Sequence, residues 1–205
     1  MVISAALAVV AVAHHPSVEH ATSRADVLAR IVSLSGTDEA VHAIVIAAAC
    51  GLLFGLASFA MRRGLRDAGV LAGLTAYAVG TGPAIAAGLI DGFLIPAIAA
   101  RYAAAPPQAV DTALQLLAVC AAAIQITTKT WLLATSFAVL IWSFGLMRLG
   151  GLPRTAGAAG IVATAVVLAV LAFTTNVNPH SLGIVVLVQT LWYVAIGALM
   201  IRGEL

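Results

Sequence analysis

The stretch Ala40–Arg63, "AVHAIVIAAACGLLFGLASFAMRR", joins an apolar run from Ala40 to Met61 to two arginines. About 20 mainly apolar residues in a helix cross a bilayer core, because each backbone N–H and C=O is then paired within the segment. This segment has that length. Nothing in it alternates with the period of a barrel strand, so a transmembrane helix is the reading that fits. Gly51 and Gly55 lie one turn apart on it, a spacing that lets a neighbouring helix approach closely.

Five more apolar segments follow the same logic: Met1–Ala13, Ala68–Ala100, Ala113–Met147, Ala156–Thr175 and Ser181–Ile201. The whole chain agrees, with 62% apolar and 9% charged residues in 205 and a mean hydropathy of +1.10. So little polar surface cannot cover a water-facing globule. The expected fold class is all-α, a polytopic six-transmembrane-helix bundle forming a single transmembrane domain over residues 1–205. No basic run or nucleic-acid motif is present, so membrane lipids and an apolar small molecule are the expected partners. Cys50 and Cys120 lack a CxxC spacing and read as small packing residues.

Arginines set the expected orientation. Arg62, Arg63, Arg66, Arg148, Arg154 and Arg202 fall on one side of a chain that crosses six times, and the positive-inside rule makes that side cytoplasmic. Both termini are then expected inside. The other side holds Glu19, Asp26, Asp38, Glu39 and Asp111 against Arg24, Arg30 and Arg101.

Between the first two segments, "SRADVLARIVSLSG" carries an apolar stripe of Val27, Leu28, Ile31 and Val32. It reads as a short outer interfacial helix capped by Ser23 and stopped by Gly36. Thr37, Asp38 and Glu39 then read as the N-cap and acidic first turn of the second span, with a ligand role as the alternative for Asp38 and Glu39. At 1.5 Å per residue the third and fourth segments are each about 50 Å long, against a core of about 30 Å. They are expected to project, bend or tilt, with Pro83 and Pro96 as places to bend.

Counting about 20 residues outward from each cytoplasmic helix end reaches His42, the neighbourhood of Asp91, Lys129 and His180. The opening stretch "AVAHHPSVEH" adds His14, His15, Glu19 and His20 to this layer, after an apolar run of only thirteen residues. Polar groups at that depth are costly unless they face the bundle interior and find partners. Imidazole and carboxylate are the usual ligands of zinc, copper or iron, and different helices can each supply one. His14, His15, His20, His42 and His180 are therefore candidate metal ligands. Glu19 and Asp91 are candidate ligands or general bases to a water activated by the ion.

Gln125, Lys129 and Gln189 are candidate pocket residues, with Lys129 expected to pair with Asp91 or to snorkel outward, and Gln189 open to an interhelical hydrogen bond. Asn176 and Asn178 read as shaping the turn before Pro179. Two other readings attach to the histidines: signal-peptidase cleavage after "AVA", which the lack of Lys or Arg ahead of the apolar run disfavours, and one bis-histidine haem between His42 and His180.

"HHPSVEH", "VHAIVIAAACGLL", "GLIDGFLIPAIAAR" and "NPHSLGIVVLVQTLWY" together resemble a type of small multi-span bacterial inner-membrane protein that is itself uncharacterised. The resemblance implies a bacterial inner-membrane setting and brings no activity. Intramembrane hydrolases of the ceramidase-like group also bind zinc with His and Asp from different helices, but this chain lacks their HxxxH pair. The expected function is a metalloprotein, a metal-dependent membrane hydrolase or oxidoreductase acting on a lipid or other apolar substrate at the outer face. The alternatives are a small transporter or channel using the same polar layer, and an accessory membrane subunit.

Overall fold

The computed structural model describes residues 1–16 and 23–205. Every regular element among them is helical: α1 (Val2–Ala13), α2 (Arg24–Arg63), α3 (Ala68–Leu89), a π-helical turn (Ile90–Leu94), α4 (Ile95–Tyr102), α5 (Pro107–Met147), α6 (Gly151–Phe173) and α7 (Pro179–Ile201). Five of these helical stretches, α2, α3 through α4, α5, α6 and α7, are long and apolar enough to cross a membrane, and α1 is a shorter apolar helix. The result is the expected all-α bundle, with its polar bonds closed inside each helix.

Consecutive helices pack side by side, α2 on α3, α3 on α5, α5 on α6 and α6 on α7, and α1 then fits between α7 and α2. The six helices close into a ring. Ring closure depends on small residues: a Cβ on Gly51 would overlap the Ser4 hydroxyl, and one on Gly55 or Gly197 would press on Met1 or Val2. Those three glycines are the notch into which α1 is set.

The ring is plugged at the end that carries Arg62, Arg63, Arg148 and Arg202. Phe59, Trp142, Leu146, Trp192, Tyr193 and Ile196 form a buried core there. The Trp142 and Trp192 rings stack at 6.2 Å, Phe59 meets Trp142 edge-on at 5.5 Å, and Trp142 Nε1 donates to Val70 O at 3.2 Å. Aromatic pairs at these separations add to the apolar burial. Arg62 Nη1 donates to Met200 O at 2.6 Å, tying the C-terminal ends of α2 and α7 together.

Two expectations about α2 are overturned. Ser23 does cap the start, its hydroxyl accepting from Asp26 N at 3.1 Å, but Gly36 does not stop the helix. α2 runs unbroken for 40 residues, so the expected interfacial helix and the second span are one element. Glycine inside a helix costs about 1 kcal/mol. Burial of Leu28 against Ala99, Val110 and Ala113, with Ile31 and Val32 packed alongside, holds the N-terminal half in place. That small core joins the first half of α2, α4 and the first half of α5 into an extension beyond the ring. Arg24 Nη1 closes it on Asp111 at 2.6 Å. Thr37, Asp38 and Glu39 therefore sit in mid-helix, with no helix start to cap.

The third apolar segment is interrupted where Asp91 lies. Pro96 has no N–H to give the carbonyl one turn back, and its ring crowds that carbonyl. The chain widens into the π turn Ile90–Leu94 and resumes as α4. Such turns are frequent at functional sites. At the start of α7, Asn178 forms a reciprocal cap with Ser181.

Candidate metal centre

α1 ends at Ala13, and the chain turns so that His15 faces the ring interior while His14 stays exposed with its Nδ1 on Val10 O at 2.8 Å. His42 enters from α2 and is buried. Asp91 enters from the π turn. A Cβ on Gly92 would overlap the Cβ of His42, so a glycine there lets α2 and the π turn approach closely enough for imidazole and carboxylate to meet.

Asp91 Oδ2 stands 3.2 Å from His42 Nε2 and 3.4 Å from His15 Nε2. The two imidazoles lie edge to face, ring centres 5.0 Å apart. Behind them, His42 Nδ1 is 2.9 Å from Asp38 O and 3.2 Å from Asp38 Oδ1, and His15 Nδ1 is 2.8 Å from Pro16 O. A carbonyl oxygen only accepts, so each Nδ1 is the protonated nitrogen. Both Nε2 atoms are then turned toward one carboxylate.

A neutral ring in that tautomer would aim a lone pair at Asp91, which is repulsive. The contact becomes favourable when a proton or a metal cation lies between the carboxylate and the ring nitrogens. Histidines that bind metals fix their tautomer in this way, donating Nδ1–H to a carbonyl or carboxylate and offering Nε2 to the ion. Each of the two Nε2–Oδ2 separations is close to the spacing of about 3.3 Å between two atoms bound to one tetrahedral zinc at about 2.0–2.1 Å. His15, Asp38 and His42 also offer ligand atoms all within 4.8 Å of one another. We place Asp38 behind His42, since its carboxylate meets the nitrogen that already donates to its own carbonyl. For His15, which lies beyond the end of α1, the hydrogen bond to Asp91 raises the imidazole pKa above its ordinary 6.5, against the opposing effect of burial.

Other candidates stand apart from this centre. His180 is exposed at the start of α7 and lines a separate recess with Val9, Val12 and Ala13. Both nitrogens of His42 are engaged by aspartates, so the structure does not present His42 and His180 as a facing haem pair. Glu19 and His20 lie outside the described residues.

Among the described residues Lys129 forms no ion pair with Asp91, whose partners are His15 and His42. Lys129 Nζ donates to Thr175 O at 2.6 Å. One turn away, the Gln125 side chain both donates to Val177 O and accepts from Val177 N, each at 2.8 Å. These two residues hold the link between α6 and α7, although Gln125 also borders the cavity beside the centre. Gln189 makes one interhelical bond, donating to Ser136 Oγ of α5 at 3.2 Å, and accepts from Tyr193 OH one turn along its own helix at 3.4 Å.

Asp38 is the functional candidate that sequence reasoning assigned elsewhere. Its spacing of four from His42 puts both on one helix face, and that signal was present in "DEAVH".

His15, His42 and Asp91 border a cavity of about 300 Å³ whose other walls include Val45, Ala84, Ile124, Trp131 and Leu182. Below it, toward the aromatic plug, a recess of about 50 Å³ shares Val12, Val45, Ala84 and Trp131 and ends at Tyr77, Gln189 and Tyr193. The ring is therefore a bucket with ionisable groups near its mouth, apolar walls and an aromatic floor. Comparison with protein-family models, curated proteins and solved structures finds no match for the chain.

Proposed function

We propose that this is an integral membrane metalloprotein that holds one divalent ion, zinc, copper or iron, on His15 Nε2, His42 Nε2 and the Asp91 carboxylate. In this reading it is a metal-dependent enzyme acting on a lipid or other apolar substrate. The observation that carries the reading is the shared one: two imidazoles, each locked into the Nδ1–H tautomer by a carbonyl, turn Nε2 toward the same carboxylate oxygen. Three protein ligands leave a position for substrate or water, the pattern of catalytic rather than structural zinc sites.

Each residue then has a task. Asp38 orients the His42 ring and makes it a better donor. Gly92 keeps α2 and the π turn close enough for the ligands to converge. The bound ion would supply Lewis acidity toward a carbonyl or phosphoryl oxygen, while the apolar walls exclude water and strengthen every charge interaction at the mouth. In keeping with the arginine distribution, the centre faces the outer side of a bacterial inner membrane and both termini are cytoplasmic. A transporter would need a path through the ring, and the stacked Trp142 and Trp192 with Phe59 and Ile196 fill it at the arginine end.

The test is elemental analysis of detergent-purified protein, with an optical spectrum, on wild type and on His42→Ala and Asp91→Ala. Near-stoichiometric metal that disappears in both variants supports the reading. Wild-type protein that holds no metal after reloading with zinc, copper and iron overturns it.

A further inference from the structure

We infer that the bucket takes a single-chain amphiphile, with an oxygen-bearing head at the His15, His42 and Asp91 centre and its hydrocarbon chain threaded down inside the ring. The inference rests on reading that centre as the reacting site and adds the substrate class to it.

Three observations lead there. The cavity beside the centre is polar on the side of the His and Asp groups, at the Gln125 and Asn178 margin and at Thr128, while Val45, Ala84, Ile124, Trp131 and Leu182 make most of the remaining wall apolar. That is the composition of a site that orients a ligand by one end and buries the rest. Gln125 is already satisfied by Val177 and Asn178 by the α7 cap, so the polar groups left to meet a head group are those of the centre and the Thr128 wall. The deeper recess continues in the same direction, sharing four wall residues with the first cavity and closing on Tyr77, Gln189 and Tyr193. A cavity of about 300 Å³ that adjoins a smaller recess of about 50 Å³ across four shared wall residues suits one chain. A two-chain bilayer lipid would have to leave its second chain outside the ring or split the helices.

Depth sets which bond is presented. With the chain running toward the plug, the group offered for reaction at the centre is the carboxyl, ester or amide carbonyl that begins the chain. A head oxygen there meets the ion, or the imidazolium protons in its place, and both favour an oxygen acceptor.

The experiment uses detergent-purified full chain and palmitate carrying a diazirine at the end of its chain, with metal content measured on the same samples. Irradiation is expected to label residues of the deep recess, among them Ala49, Leu52 and Tyr77, and unlabelled palmitate is expected to suppress it. Val45→Phe and Ala84→Phe each fill the shared wall and are expected to lower labelling about tenfold or more, which corresponds to about 1.4 kcal/mol of binding. Metal content stays at the wild-type level. Two substitutions on different helices guard against one of them failing to fold, which size-exclusion chromatography detects.

Labelling confined to the outward-facing Leu133 and Phe137, or unchanged in both folded variants, overturns the inference. Loaded metal together with that negative result leaves the metalloprotein reading standing alone. Labelling of the deep recess in a protein that holds no metal upholds the chain slot and removes the metal.

Discussion

The carboxylate of Asp91 stands 3.2 Å from Nε2 of His42, although the two residues come from different helices and Asp91 lies on a π turn. Gly92, next to Asp91 on that turn, makes the approach possible, since a Cβ there would overlap the Cβ of His42. The contact makes Asp91→Asn the most direct probe, because it keeps shape and removes charge. Metal affinity is expected to fall about 100-fold or more, beyond the 10- to 100-fold typical of changes one layer out from an ion. Isothermal titration of the metal-free protein with zinc measures it, and wild-type affinity in the variant would remove Asp91 from the ligand set.

Asp38→Asn tests the layer behind. The carboxylate approaches His42 Nδ1 at 3.2 Å, while the Asp38 carbonyl at 2.9 Å remains in the variant. Zinc affinity is expected to fall about 10- to 100-fold, less than in Asp91→Asn. A larger loss than in Asp91→Asn would exchange their places and make Asp38 a direct ligand.

Much of this architecture was readable in advance, and the physical reasons for the rest are specific. Apolar segment lengths and arginine positions implied six helices with one polar end, because lipid tolerates few other arrangements. The count outward from Met61 reached His42, since rise per residue is constant. The same count reaches Lys129 and His180, but depth says nothing about which way a side chain points: Lys129 donates to Thr175 O and His180 is exposed. Gly36 reads as a helix stop and so puts Asp38 in a cap, whereas the packing of Leu28 in the extension carries the helix through both. The π turn left no periodic trace, although Pro96 marked its neighbourhood.

Gly92→Ala is expected to damage the centre more than the fold. A Cβ there overlaps that of His42, so the helices must separate or the ring must rotate, at a cost of about 1–3 kcal/mol. Circular dichroism should show unchanged helix content, and the thermal midpoint should fall and no longer respond to added zinc. A zinc-dependent rise in midpoint equal to that of wild type would show that the site adapts.

The His15 pKa, raised above 6.5 chiefly by its hydrogen bond to Asp91, gives a pH dependence with a definite sign. A folded-state pKa above the unfolded value means that the contact contributes its full stability below about pH 6.5 and loses it as pH rises through the raised value. In metal-free protein, the difference in thermal midpoint between wild type and His15→Ala should therefore shrink with rising pH. Zinc affinity should move oppositely, increasing with pH as the proton leaves. A midpoint difference that grows with pH would contradict the His15 and Asp91 contact.

Gly55→Leu acts at a distance from every ligand. α1 supplies His15, and it is held between α2 and α7 where Gly51, Gly55 and Gly197 leave room for Ser4, Met1 and Val2. A leucine at position 55 occupies the space of Met1, so α1 must withdraw while α2, α3, α5, α6 and α7 keep their own contacts. Expected outcomes are amide hydrogen exchange that rises across Val2–Ala13 and a zinc affinity reduced to that of His15→Ala. The double variant Gly55→Leu with His15→Ala should be no worse than either single change, because both remove the same ligand. Additive losses would mean that α1 supports the centre through packing on α2 rather than by delivering His15.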